Sequence, residues 1–123
     1  MSKQFEAPVL KQLITTDVIS LETYSSTGRT HRTFVWIVVE GNDTYVRSVY
    51  GRDSRWYQRI TANPQGAIDT NGGHHAFRAI PVTDAASIDR VSNAYRRKYK
   101  NDSSLSAILE PAALQTTLRL EPA

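Results

Sequence analysis

The apolar positions of the chain follow two periodicities, one typical of strands and one typical of helices. Residues 18–25 (VISLETYS) alternate along the segment, which predicts a strand with one solvated face. Residues 34–39 (FVWIVV) are continuously apolar and are followed by Gly41, Asn42 and Asp43, which predicts a strand buried on both faces and then a hairpin turn. A third strand over residues 44–50 returns antiparallel to it. Further strands are predicted at 67–70, 75–82 and 117–120.

Helical spacing appears in three segments. Residues 7–14 form a short helical start, and residues 55–62 place Trp56 and Ile60 four positions apart behind a possible cap at Asp53 or Ser54. The longest helix is predicted over residues 85–100, with Thr83 and Asp84 as its cap. Its apolar stripe consists of Ile88, Val91, Tyr95 and Tyr99. Residues 103–115 are ambiguous and are interrupted at Pro111.

These elements predict a mainly β fold with added helices (α+β). Six strands, mostly joined as hairpins, lack the strand–helix–strand alternation of a parallel sheet, so a small antiparallel barrel fits best. A length of 123 residues favours a single domain over residues 1–123, with an N-terminal helical segment over residues 1–16.

The composition and the spacing of particular residues exclude several kinds of functional site. The absence of cysteine excludes disulfides, thiolate zinc sites and iron–sulfur clusters. The apolar runs are too short to span a bilayer, and no apolar segment follows the basic start, so we expect a cytoplasmic protein without a membrane partner. His31, His74 and His75 lack the spacing of metal ligands, so no metal site is expected. Neither a nucleophile elbow nor a phosphate-binding glycine loop is present, and no catalytic residue is identified.

Arginine dominates the positive charge. The net charge is +3, eleven of the fifteen cations are arginine, and six of them lie between Arg29 and Arg59 with no lysine among them. The planar guanidinium suits phosphate or carboxylate, which indicates an anionic ligand; the alternative is that these arginines lie on solvated faces. A basic run at residues 96–100 resembles a nucleic-acid contact, but its tyrosine belongs to the apolar stripe. We therefore expect no nucleic acid as a partner.

The region from Arg47 to Pro64 contains the parts of an anion site. Arg47 on a strand, Gly51 after it and a helix start close behind combine guanidinium donors, open backbone N–H groups and a helix dipole. A flavin-type ligand needs such a site for its phosphate, together with backbone groups for the ring and apolar walls. The backbone of Ser48, Val49 and Tyr50 is the candidate for the ring, and the wall candidates are Trp36, Trp56 and Tyr57. The alternative interpretation, equally compatible with the composition, is that Trp56 only packs its helix against the barrel.

Four segments together resemble the flavin-binding split-barrel superfamily, near its deazaflavin-dependent nitroreductase branch. They are residues 26–33 (STGRTHRT), 43–51 (DTYVRSVYG), 55–64 (RWYQRITANP) and 118–122 (LRLEP). The chain is most similar to small bacterial domains of unknown function that carry Tyr-Val-Arg-Ser-Val, Gly-x-Asp-x-x-Trp-Tyr and Thr-Thr-Leu-Arg-Leu. The likeness covers roughly residues 17–122.

The resemblance implies a six-stranded antiparallel split β-barrel with flanking helices. It also implies FMN or the deazaflavin coenzyme as cofactor, and a homodimer with the cofactor near the interface. Arg29 and Arg32 match basic residues that hold the phosphate tail in that branch, whereas Thr30 replaces a lysine and Arg59 replaces an asparagine.

The leading hypothesis is therefore a flavin- or deazaflavin-dependent oxidoreductase that transfers hydride to a small organic substrate. In it Arg29, Arg32, Arg47 and Arg52 bind the anion, and Tyr50 or Tyr57 donates a proton. The alternative is a non-catalytic split-barrel module that binds another ligand or dimerises and has lost the cofactor.

Overall fold

Seven strands pair side by side, all antiparallel, in one curved sheet that forms a half-barrel. The computed structural model describes residues 3–123. Its strands are β1 (Val18–Tyr24), β2 (Thr30–Trp36), β3 (Val38–Glu40), β4 (Asp43–Val46), β5 (Gln65–Thr70), β6 (Gly73–Pro81) and β7 (Leu118–Pro122). Its helices are α1 (Ala7–Thr15), α2 (Arg55–Ala62), α3 (Ala85–Lys98), α4 (Leu105–Ile108) and α5 (Pro111–Leu114). The strand order is β2-β1-β5-β6-β7-β4-β3.

The sheet has seven strands rather than the predicted six, because the apolar segment 34–39 is divided at Ile37. The backbone N–H of Ile37 donates to Tyr99 Oη at 3.1 Å, and its carbonyl accepts from Lys98 Nζ at 2.6 Å. These side chains from the end of α3 satisfy the backbone groups that a continuous strand would have paired. β2 and β3, at opposite ends of the sheet order, are thus joined by this single buried residue.

Local signals explain most of the other boundaries. The hairpin between β3 and β4 turns at Gly41 and Asn42, which both have positive φ, 58° and 65°. That conformation suits these two residue types and matches the twist of the strands they join. α3 begins where the Asp84 carboxylate accepts a hydrogen bond from the Ser87 N–H at 2.9 Å. The ambiguous segment 103–115 forms α4 and α5, and Pro111 begins α5 rather than interrupting a helix.

Two apolar clusters hold the fold together. The first packs Trp56 and Ile60 of α2, together with Leu13 of α1, against one face of the sheet. The second lies on the opposite face of β4, where Tyr45 meets Val91 and the remaining buried stripe of α3. The predicted core stripe of α3 is therefore confirmed. None of the described helices is long and apolar enough to cross a membrane.

Candidate functional site

A cleft of about 810 Å³ opens between β2, the segment after β4, the first half of α2, and α4. We call it the aromatic cavity, because Phe34, Trp36, Tyr50 and Trp56 all line it. Trp36 stacks on Tyr99, with ring centroids 4.0 Å apart and planes 4° from parallel, which fixes this wall from behind. This volume lies within the range of about 300–1,000 Å³ that is usual for ligand pockets.

The rim of the aromatic cavity is unusually exposed for its residue types. Phe34 is 80% exposed and Tyr50 is 81% exposed, whereas Trp56 on the inner wall is only 7% exposed. Val18 and Val49, also on the rim, are about half exposed. Contiguous apolar surface of this kind marks a place where a ligand or another protein binds.

Besides the core residue Arg47, three basic side chains line this cavity: His31 of β2, and Arg55 and Arg59 of α2. We call them the cationic cluster. The two arginines are four residues apart and therefore lie on the same side of the helix. Arg59 Nε donates to Thr23 Oγ1 at 2.9 Å, and that threonine on β1 is fully buried. This bond anchors one edge of the guanidinium and leaves its two terminal nitrogens without a hydrogen-bond partner among residues 3–123.

The cationic cluster has no compensating carboxylate in the part of the chain that the structure describes. The ion pairs found there involve other basic residues. Desolvation lowers the pKa of Arg59, and the neighbouring charge of Arg55 lowers it further. Desolvation also lowers the pKa of His31, and the charges of Arg59 and Arg29 lower it further. A bound anion would relieve this repulsion.

A second cavity of about 600 Å³ adjoins the first on the far side of the cationic cluster. His31, Arg55 and Arg59 line both cavities. The other residues of the second cavity are Tyr24, Ser25, Ser26, Gln58, Ala62 and Asn63. We call it the polar cavity, since all but one of these carry a hydroxyl or amide.

Arg47 is a core residue whose donors are used by the protein itself. Its side chain is 1% exposed, and Nε donates to Thr117 Oγ1 at 2.8 Å. The terminal nitrogens donate to Ser92 Oγ at 3.0 Å and to the carbonyl oxygens of Ile88 and Ile108 at 2.9 and 3.4 Å. The guanidinium also lies over the Tyr95 ring, and desolvation lowers its pKa. Arg47 borders the aromatic cavity, but four of its five N–H donors are occupied.

Arg32 points away from the cleft into an ionic cluster with Glu22, Asp69 and His74. Its guanidinium lies 2.7 Å from Glu22 and 3.5 Å from Asp69, and His74 Nε2 lies 3.0 Å from Glu22. The hydrogen bond from His74 lowers the pKa of Glu22 most, and the same bond raises the pKa of His74. Ligand atoms of Glu22, Asp69 and His74 lie within 4.8 Å of one another, a spacing that suits a cation. Arg32 already supplies that positive charge.

The remaining predicted site residues have different surroundings. Val49, Tyr50 and Trp56 line the aromatic cavity. The Ser48 N–H donates to Thr116 Oγ1 at 2.8 Å, whereas the Ser48 hydroxyl is buried without a hydrogen-bond partner among residues 3–123. Four further predicted site residues do not line this cavity: Tyr57 is half-buried, and Arg29 and Arg52 are exposed. The fourth, Gly51, has a φ of +67° and packs against Ala112.

Phe34 and His31 were not predicted as site residues. Arg55 and Arg59 were predicted only as two of the six arginines between Arg29 and Arg59, and Arg59 also as a departure from the nitroreductase pattern. One signal was available: Arg55 and Arg59 stand four positions apart on a helix whose Trp56 and Ile60 face the core. That spacing places the two guanidinium groups one turn apart on one side of the helix, Arg55 in its first turn and Arg59 in its last.

Comparison with known proteins identifies both family and fold. The model of a family described as "Uncharacterized protein conserved in bacteria (DUF2255)" matches residues 9–120. No curated protein sequence matches the chain. The solved structures that resemble it have split-barrel folds of the flavin-binding type, as the sequence resemblance implied.

Three such structures show the range of these proteins. An F420-H2 dependent reductase is 14% identical with a TM-score of 0.67, covering 85% of this chain and 94% of its own. HutZ, the heme storage protein of Vibrio cholerae, is 13% identical with a TM-score of 0.67, covering 98% and 91%. A conserved hypothetical protein of Mycobacterium tuberculosis is 14% identical with a TM-score of 0.66, covering 97% and 79%. At these identities the likeness establishes the fold alone.

Proposed function

The chain belongs to the bacterial family DUF2255, and on that premise we propose that it binds a flavin or deazaflavin cofactor in the aromatic cavity and acts as an oxidoreductase on a small organic molecule. One observation carries the proposal. The aromatic cavity meets a cationic cluster without a carboxylate partner among residues 3–123, and its exposed walls match the ring of such a cofactor.

The residues present fit the two ends of that cofactor. Arg55 and Arg59 offer planar donors to a phosphate, and Thr23 orients the second of them. Trp56 and Trp36 supply apolar walls for the ring, and exclude water from it. When bound, the cofactor supplies hydride transfer. Tyr50, on the rim of the cavity, is placed to give a proton to a substrate bound there.

The fold supports this proposal, because one of the similar structures is an F420-H2 dependent reductase. Another is a heme storage protein, so heme belongs in the same titration. Arg29 and Arg52 remain proposed contacts for the extended tail, since both are exposed and neither forms an ion pair in the described chain. Arg32 and Arg47 are not used here, because their donors are engaged elsewhere.

The test compares ligands that differ only in the phosphate. Riboflavin and FMN are titrated into the wild type, Arg55→Met, Arg59→Met and the control Arg78→Met, an exposed arginine that lines neither cavity. Loss of a charge-assisted hydrogen bond of about 1.5–3 kcal/mol predicts roughly 10- to 100-fold weaker FMN binding in the first two variants. The affinity for riboflavin should not change in any variant, and Arg78→Met should bind FMN as the wild type does. Equal FMN affinity in all four proteins would refute the assignment.

One observation favours the second candidate, a module that binds a ligand without catalysis. Arg32, which matches a phosphate-holding residue of the nitroreductase branch, is ion-paired with Glu22. The deciding measurement is hydride transfer itself: reduced cofactor that binds in the cleft but is not oxidised by any of a panel of nitro and quinone acceptors supports this candidate.

We also propose that two copies of the chain associate through the rim of the aromatic cavity. Phe34 and Tyr50 are each exposed by four-fifths or more, and burying both would remove a large apolar area from water. Light scattering should give a dimer for the wild type and a monomer for Phe34→Glu. The control Ile14→Glu, an exposed apolar residue outside the cavity, should remain dimeric.

A further inference from the structure

The cationic cluster lies in the middle of a longer groove rather than at its end. All three of its members line the aromatic cavity on one side and the polar cavity on the other. A ligand that ended in a phosphate would fill the aromatic cavity and reach the cluster. It would leave the polar cavity, about 600 Å³, to water. That volume is itself within the range of about 300–1,000 Å³ found for ligand pockets.

The lining of the polar cavity suits an uncharged polar group. Apart from the cationic cluster and Ala62 its lining consists of hydroxyl and amide side chains, and no acid or further base from residues 3–123 is among them. Asn63 Oδ1 accepts the Gln65 N–H at 3.2 Å, which fixes the amide and leaves the Asn63 NH₂ as a donor. Gln58 donates only a long bond of 3.4 Å to the Arg52 carbonyl. These groups match the hydroxyls and ring nitrogens of a sugar or base. A carboxylate in the polar cavity would have no positively charged partner except the cationic cluster.

We infer that the ligand of this groove continues past its anionic group, as a phosphodiester or pyrophosphate whose far substituent is polar and occupies the polar cavity. This rests on the proposed function for the identity of the ring. The ring lies in the aromatic cavity, the phosphate meets Arg55 and Arg59, and the second substituent contacts Gln58 and Asn63. Arg55 and Arg59 then contact the phosphate from the side, and this arrangement is possible with a phosphodiester as well as with a phosphomonoester.

The experiment uses riboflavin, FMN and FAD as probes, because they share one ring and add first a phosphate and then an adenylate. FMN and FAD carry similar charge near pH 7, so a difference between them reports the added substituent rather than charge. We expect FAD to bind the wild type at least threefold more tightly than FMN. The deazaflavin coenzyme, whose phosphate is a diester, and its phosphate-free chromophore form a parallel pair.

Two matched variants locate the added affinity. Ala62 is exposed at the end of α2 and lines only the polar cavity, whereas Ala107 of α4 lines only the aromatic cavity. Ala62→Trp should abolish the advantage of FAD over FMN and reduce that of the deazaflavin coenzyme over its chromophore, while leaving the affinities of FMN and the chromophore unchanged. Ala107→Trp should weaken all of them. Thermal unfolding of both variants confirms that they remain folded.

The outcomes separate this inference from the proposed function. If FMN binds and FAD binds no more tightly, or if Ala62→Trp weakens FMN and FAD equally, the ligand ends at its phosphate and the inference is wrong. If neither the flavins nor the deazaflavin pair binds, the proposed function is wrong and the inference falls with it.

Discussion

Replacing Arg47 by methionine separates a structural role from a ligand-binding one. Methionine keeps most of the apolar stem and removes the guanidinium. The change leaves four acceptors without their donor: the hydroxyls of Thr117 and Ser92 and the carbonyls of Ile88 and Ile108. All of these bonds are buried or partly buried, so water replaces the donor poorly.

The expected loss of stability follows from two opposing contributions. Three of the bonds are 2.8–3.0 Å long, and bonds to a charged donor contribute about 1.5–3 kcal/mol each, so roughly 5–9 kcal/mol is lost. Removing a buried charge that has no carboxylate beside it in the described chain returns several kcal/mol of desolvation. The net cost is about 3–4 kcal/mol, or a fall of roughly 10–15 °C in Tm for a domain of this size.

The assay combines urea unfolding with the flavin titration. Arg78→Met is the control and should change the free energy of unfolding by less than about 0.5 kcal/mol. For Arg47→Met we expect the urea midpoint to fall with an unchanged m value, while the folded protein binds FMN within about threefold of the wild type. A variant of normal stability whose FMN affinity falls tenfold would refute this reasoning and return Arg47 to the ligand site.

Three further changes test other contacts. Thr23→Val removes the acceptor that orients Arg59 and should weaken FMN but not riboflavin about three- to tenfold, whereas Thr23→Ser should restore binding; unchanged FMN affinity in the valine variant would contradict the positioning role. The pKa of His74 is raised above 6.5 by its bond to Glu22, so its stabilisation is complete below pH 6.5 and is lost as the pH rises through the raised pKa. Urea midpoints of the wild type and His74→Asn should therefore converge at alkaline pH, and parallel curves would exclude this linkage. Lys98→Met leaves three carbonyl oxygens without their donor and should cost about 2–3 kcal/mol in urea unfolding, so a cost under 0.5 kcal/mol would show that water replaces the amine.

Most of the fold could be predicted from the sequence because its signals are local. α2 spans residues 55–62 as its Trp56 and Ile60 spacing predicts, and the hairpin turns at Gly41 and Asn42 as their residue types predict. The division of the apolar segment at Ile37 could not be predicted. It depends on Tyr99 and Lys98, which approach from about 60 residues away in sequence and take the backbone groups of Ile37.

The candidate site was predicted by residue type but not by residue. The arginine-rich segment contributes Arg55 and Arg59 to the lining of the cavity, and Tyr50 and Trp56 line it as well. Arg47 was selected because it lies on a predicted strand that is followed by a glycine, a local pattern that carries no information on what surrounds the side chain. The acceptors that bind it come from α3, α4 and the segment before β7.

What distinguishes the arginines of this segment is the number of N–H donors that the protein leaves free. Arg47 has four of its five N–H donors occupied by neutral oxygens and Arg32 is ion-paired with carboxylates, so neither gains much from a ligand. Arg59 has one donor anchored on Thr23, and Arg55 has no partner in the described chain. An anion gains most where the donors are oriented but not yet paired, as at Arg59, because the cost of ordering them has already been met in folding. Sequence spacing places arginines near one another, and only the acceptors contributed by distant elements decide which of them remain available to bind.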